Sequence, residues 1–241
     1  MDLGSVVALA GGVGGAKMAQ GLAAALGPGR LTVVVNTADD FEHLSLHISP
    51  DLDTVMYTLA GLQNAETGWG LADESWHFLE ALERLGGETW FRLGDRDLGT
   101  HVERTRRQRA GEKLSSITEG FCTRLGVAAR VLPMSDDPVR TVVHTDAGPI
   151  PFQEYFALRK CRPAVRGFEF EGADAAEFHP SAAAALQAGD LSAVLICPSN
   201  PYVSIAPILA LTGAREYLRT TAAPVIAISP IVGGAALKGP A

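Results

Sequence analysis

Short apolar runs, glycine turns and stretches of helical period alternate along this chain. Ser5–Ala10 (SVVALA) is an apolar run that ends in glycines, and residues 16–26 follow with helical character. Residues 31–36 (LTVVVN) form a second apolar run rich in β-branched side chains. Strand, turn, helix and strand in that order predict a βαβ opening and hence a parallel sheet. Because these runs are continuously apolar rather than alternating, both faces of the sheet should be covered by helices.

The period then changes. Leu52, Val55, Met56, Leu59 and Leu62 share one helical face, and Trp76, Leu79, Leu82 and Leu85 share another that closes on Gly86 and Gly87. Strands are expected again at 128–132, 141–145, 153–158 and 165–170, with turn signals at Gly148-Pro149 and Arg162-Pro163 that suit antiparallel hairpins. Parallel-type runs return at 193–197 (AVLIC) and 224–229 (PVIAIS), with helical material at 205–218 between them. The chain is therefore expected to be a single α/β domain over 1–241. It would carry a helical insertion at about 54–126 and a β-hairpin region at about 140–170.

Composition narrows the function classes. The 241 residues are 47% hydrophobic and 20% charged, enough apolar material for a sizeable core. The net charge of −7 gives no basic field for nucleic acid, so an anionic ligand would have to be held by backbone NH groups, a few cations or a metal. Cys122, Cys161 and Cys197 show neither a CxxC pair nor zinc spacing and are expected as reduced thiols. No signal peptide and no apolar stretch of membrane length are visible, so a cytoplasmic protein without a membrane partner is expected.

Candidate chemistry gathers after the expected strands. Residues 11–17 (GGVGGAK) follow the first strand, where glycines let backbone approach phosphate and a helix start offers free NH groups; a tight turn alone is the plainer alternative. Lys17 replaces the third glycine of the dinucleotide fingerprint, and Asn36 stands where an acidic residue would grip an NAD ribose, so a dehydrogenase is disfavoured. Asp39, Asp40, Asp51 and Asp53 follow the second strand. Singly each suits a cap or turn, but clustered near phosphate they suit magnesium. Further groups are LGDRD at 93–97 with Thr100, His101 and Arg104, where an internal salt-bridge network is the competing explanation, and MSDDP at 134–138. Ser199, Asn200 and Ser204 in PSNPYVSIAP, and the loop 229–240 with Lys238, complete the set. All would meet along one sheet edge.

The series GGVGGAK, VVNTADD, SPDLDTVMY, LGDRDLGTH, LPMSDDPV, VRGFEFEG, PSNPYVSI and SPIVGGAALKGP resembles the 2-phospho-L-lactate transferase (CofD-like) family over nearly the whole chain. The resemblance implies an α/β fold with a Rossmann-like core, a mostly parallel sheet flanked by helices, and a helical insertion. It implies magnesium-dependent transfer of a phospho-lactyl-type group (2-phospholactate, phosphoenolpyruvate or phosphoglycerate) from a guanosine diphosphate conjugate to the ribityl hydroxyl of the deazaflavin Fo. GMP is released, in coenzyme F-420 biosynthesis. By matching motifs, Asp53, Arg92, Asp95 and His101 would contact Fo. Gly11, Gly12, Gly14, Gly15, Lys17, Asn36, Ser199, Asn200, Gly233 and Gly234 would surround the guanosine diphosphate moiety. Asp39, Asp40, Asp51 and Asp53 would hold the metal, with Asp51 and Asp53 as the catalytic residues and a homodimer as the assembly. Family members continue past the GPA motif, so the family domain's C-terminal part would be missing here. The alternative is a non-catalytic regulator of the same superfamily that binds nucleotide sugars. Retention of PDLDT and LGDRD favours the enzyme.

Overall fold

A computed structural model of the chain describes residues 4–236; Lys238 lies outside them. In chain order the elements are β1 (Ser5–Ala10), α1 (Gly12–Leu26), β2 (Leu31–Val35), β3 (Phe41–His43), β4 (Leu46–Ile48) and α2 (Pro50–Leu59). Then come α3 (His77–Arg84), α4 (Asp97–Arg109), α5 (Leu114–Arg124), β5 (Arg130–Pro133), β6 (Arg140–Thr145), β7 (Gly148–Pro151) and β8 (Val165–Glu171). The chain continues through α6 (Pro180–Leu186), β9 (Leu191–Ile196), α7 (Ala206–Ala210), α8 (Ala214–Thr220), β10 (Val225–Ala227), β11 (Ile231–Val232) and β12 (Ala235–Ala236).

The central sheet has the order β10-β9-β1-β2-β5, every pairing parallel, with β1 in the middle. It is an α/β fold with helices on both faces, as the unbroken apolar runs require. Along β1 the side chains alternate between two cores. Val6, Ala8 and Ala10 pack with α1, α2 and Cys122 of α5. Val7 and Leu9 pack with α6, Ile208 of α7 and Ala214 of α8. A separate antiparallel sheet, β7-β6-β8, stands where hairpins were expected. No helix among the described residues is long and apolar enough to cross a membrane.

Two local expectations need correction, and two features add detail. Residues 153–158 are not a strand: Glu154–Leu158 forms a π-helical turn after β7, and an Arg159–Glu154 ion pair spans it. Helix α1 begins at Gly12 rather than at residue 16, so most of the glycine turn is the first turn of the helix itself. The helical material expected at 205–218 is present as two short helices, α7 and α8, separated at residues 211–213. The hairpin β3–β4 was not foreseen; its turn residues Leu44 and Ser45 both adopt positive φ without the glycine or asparagine that marks such turns.

Strand order explains the glycines. Because β1 lies beside β9, the segments that follow them touch, and a Cβ at Gly14 would stand 2.2 Å from the Pro198 carbonyl oxygen. Gly14 is thus needed for packing whether or not a ligand is bound. On the exposed side of the same helix, a Cβ at Gly21 would meet nothing. Gly14→Ala is expected to lower stability by about 1–3 kcal/mol through overpacking. Gly21→Ala should raise it by about 0.5–1 kcal/mol. Denaturant unfolding of both variants checks this, and a Gly14→Ala protein as stable as wild type would contradict the close packing.

Candidate active site

The carboxyl ends of β1, β2, β5 and β9 open on one edge. Between β1 and β9 the strand order reverses, which is where open α/β sheets bind ligands. Here Ser199, in the loop after β9, accepts from the Gly11 N–H (3.0 Å) and donates to the Gly11 carbonyl (2.8 Å). Asn200 uses its side-chain oxygen to cap the π-helical turn Pro201–Ile205, accepting from the Tyr202 N–H at 2.9 Å. Asn36, fully buried at the end of β2, points inward. Its amide donates to Asp51 Oδ2 (3.0 Å) and the Val203 carbonyl (3.2 Å), and its oxygen accepts from the Ala38 N–H (3.0 Å). This one side chain ties together three segments of the edge.

Helix α2 brings Asp51 against the glycine turn. Pro50 opens the helix with its φ already set, and Asp51 falls in the first turn. A Cβ at Gly11 would lie 2.6 Å from Asp51 Oδ2, so only glycine leaves room for this carboxylate beside the start of α1. Burial pushes the Asp51 carboxyl up to about 6, against hydrogen bonds from Asn36 and the Gly12 N–H that pull it down. Burial, and next the charge of Asp51, hold Asp39 well above the ordinary carboxylate range. Asp40 accepts from Ser49 Oγ (2.8 Å) and lies 3.1 Å from His47 Nε2 of β4. Asp39 Oδ1 and Asp40 Oδ1 are buried without a hydrogen-bond partner. Among the described residues no lysine or arginine forms an ion pair with any of these three carboxylates.

Asp53 belongs to a different group. From α2, Asp53 and Tyr57 (i, i+4) face Asp97, His101 and Arg104 (i, i+4, i+7) of α4. Arg104 engages both Asp53 oxygens, at 3.1 Å from Nη1 to Oδ2 and through Nη2 to Oδ1. His101 lies 3.7 Å from Asp53 through Nδ1 and 3.1 Å from Asp97 through Nε2, and the Tyr57 hydroxyl donates to Asp97 at 2.6 Å. Donor atoms of Asp53, Asp97 and His101 lie within 4.8 Å of one another, close enough for a metal, but the Arg104 guanidinium already supplies the cation for Asp53.

Other expected site residues are distributed around these two groups. Arg92 lies over the Trp76 ring at 4.0 Å and lines, with Asp97 and Trp69, a small cavity of about 70 Å³. Asp95 caps α3, accepting from Ser75 Oγ and the N–H groups of His77 and Phe78; these bonds, Ser75's first, lower its pKa. Lys17 is exposed on α1, and Gly233 and Gly234 form the exposed turn between β11 and β12. Ser135 donates to the Glu177 carbonyl (2.7 Å) and Asp136 accepts from Ser115 (2.8 Å). A cavity of about 450 Å³ opens over the ends of β2 and β5, lined by Thr37, Asp40, His47, Lys113, Asp136 and Arg140 among others. Ser49, His47 and Tyr57 were not singled out from the sequence; the i, i+4 spacing of Tyr57 from Asp53 was the available signal.

A doubly wound sheet with buried carboxylates at its switch point, flanked by two cavities, suits an enzyme acting on small phosphorylated molecules. Residues 6–241 match the family described as 2-phospho-L-lactate transferase CofD. A phosphoenolpyruvate transferase of Kitasatospora aureofaciens is 45% identical over 97% of this chain and 74% of its own length. Those of Streptomyces coelicolor and Mycobacterium sp. (strain KMS) are each 43% identical over 97% of the chain, covering 74% and 76% of their lengths. The chain belongs to the CofD family and is a transferase. Protein BH3568 from Bacillus halodurans shares the fold, with a TM-score of 0.63 over 93% of this chain and 68% of that one, at 18% identity.

The raised Asp51 gives a pH prediction. Its folded pKa of about 6 exceeds the unfolded 3.8, so the neutral carboxyl is the favoured buried form. The stability it contributes is present below about pH 4 and lost as pH rises through 6, about 3 kcal/mol in all. Asp51→Asn should therefore raise the melting temperature of metal-free protein at pH 7.5 and leave it nearly unchanged at pH 4. Equal effects at both pH values would contradict this account.

Proposed function

We propose that this transferase moves a phosphorylated three-carbon acid group from a guanosine diphosphate conjugate to the ribityl hydroxyl of Fo, releasing GMP, in coenzyme F-420 biosynthesis. The support that carries this reading is the 43–45% identity to phosphoenolpyruvate transferases over 97% of the chain. Those names favour the enolpyruvyl conjugate as donor.

The donor's diphosphate would lie at the switch point, against the start of α1 and the Gly11–Ser199 contact, with its nucleoside extending into the larger cavity. Fo would enter on the side of Arg92, Trp76 and Asp97, with Asp53 accepting a hydrogen bond from the ribityl hydroxyl. That oxygen bonds to the phosphorus carrying the acid group while the bridging P–O bond to GMP breaks. The transition state is loose, so the hydroxyl becomes strongly acidic only late, and the modest base Asp53 then suffices to take its proton.

Asp39, Asp40 and Asp51 fit magnesium: they offer hard oxygen donors, two of them buried without a partner, and among the described residues none of the three pairs with a lysine or arginine. Magnesium held there would neutralise charge on the donor's phosphate oxygens. With Arg104 on both its oxygens, Asp53 is left out of this set.

Protein, Fo, magnesium and each of the three guanosine diphosphate conjugates are mixed, and GMP and phosphorylated deazaflavin are read by mass spectrometry. Product is expected, fastest with the enolpyruvyl donor, and a chelator should abolish it. Absence of product with all three conjugates would refute the reading. Arg92→Ala should raise the KM for Fo by roughly tenfold without altering the donor KM, the loss of one charged contact to the acceptor.

A further inference from the structure

We propose that Arg104 is a positioning residue for transfer: it fixes and neutralises Asp53 so that one carboxylate of the site serves the acceptor rather than the metal. The inference rests on the acceptor-side role of Asp53 given above. Arg104 is one of the largest fully buried side chains, delivered from the third turn of α4 to a carboxylate on the first turn of α2. Its guanidinium spans both Asp53 oxygens, a fork geometry that defines the carboxylate plane as well as its charge. Burial of the guanidinium works against its charge, and Asp53 restores it, holding the Arg104 pKa above the ordinary value.

Stability alone does not account for this pair. Replacing a buried ion pair with apolar residues is often neutral or stabilising, and Arg104 Nε is buried without a partner. A pair selected for holding the helices together would leave no such donor unmet. What the pair does achieve is division of the acidic residues. Without Arg104, Asp53 would be a fourth buried carboxylate lacking a lysine or arginine partner, two residues from Asp51 on the same helix. With Arg104, its oxygens hold a fixed direction, with a carboxylate oxygen within 4.8 Å of one of Asp97, which lines the smaller cavity with Arg92. Each carboxylate oxygen retains a second lone-pair site with which to accept from a hydroxyl.

The test is a double-mutant cycle on the full chain with Arg104→Gln, Asp53→Asn and the double variant, plus Arg104→Lys, using Fo and the donor that the wild type accepts. Arg104→Gln should lower kcat roughly a hundred-fold, the scale of a misplaced reacting group, raise the KM for Fo and leave the donor KM unchanged. Arg104→Lys should recover part of the loss. In the Asp53→Asn background, Arg104→Gln should cost nothing further, because Arg104 acts through Asp53. Should Arg104→Gln fold poorly, the double variant has no unpaired buried carboxylate and supplies the comparison with Asp53→Asn. Additive losses, or a donor KM that rises as much as the Fo KM, would overturn the proposal. A wild type that forms no product overturns the functional reading and this proposal together, whereas an active wild type with additive losses overturns Arg104's role alone.

Discussion

Three carboxylates that repel one another are buried at the carboxyl edge of the sheet, and much of the local structure exists to keep them there. Burial and mutual charge make ionisation of Asp39 and Asp51 costly. The hairpin β3–β4 and the residue after it bring His47 and Ser49 to Asp40, Asn36 braces Asp51, and Gly11 leaves the space that Asp51 occupies. A protein optimised only for stability would not hold these groups together. In the reading proposed here, the strain is relieved when cation and donor phosphates arrive together.

In the proposed reading, helix α2 stands between the donor and the acceptor. Residues 51 and 53 are two positions apart on a helix of 3.6 residues per turn, so their side chains leave it in nearly opposite directions. Asp51 meets the glycine turn and Asn36; Asp53 meets α4. The sequence PDLDT thus encodes two environments, one without a partnering cation and one with Arg104. The two cavities flank this arrangement, Asp40 lining one and Asp97 the other.

The parallel core was legible because buried strands announce themselves as continuous apolar runs, and β1, β2, β9 and β10 all fall on such runs. The acidic cluster was legible from its place after β2. What was not legible depends on contacts distant in sequence. That Arg104 pairs with Asp53, 51 positions away, cannot be read from either segment alone. The resemblance offers Asn36 as a nucleotide contact, but the sequence does not show that its side chain bonds Asp51, Val203 and Ala38. Asp95 looked like part of a charged site and is a helix cap, since α3 lies beside it only in the folded chain. The glycine turn kept its position, but Gly14 answers to Pro198 whatever else binds there.

The most direct test is anomalous diffraction from crystals grown with manganese, a hard divalent cation that substitutes for magnesium, and a guanosine diphosphate. The account requires an anomalous peak bounded by Asp39, Asp40 and Asp51, next to the diphosphate at the Gly11–Ser199 contact. A peak coordinated by Asp53, Asp97 and His101, with Arg104 displaced, would contradict it.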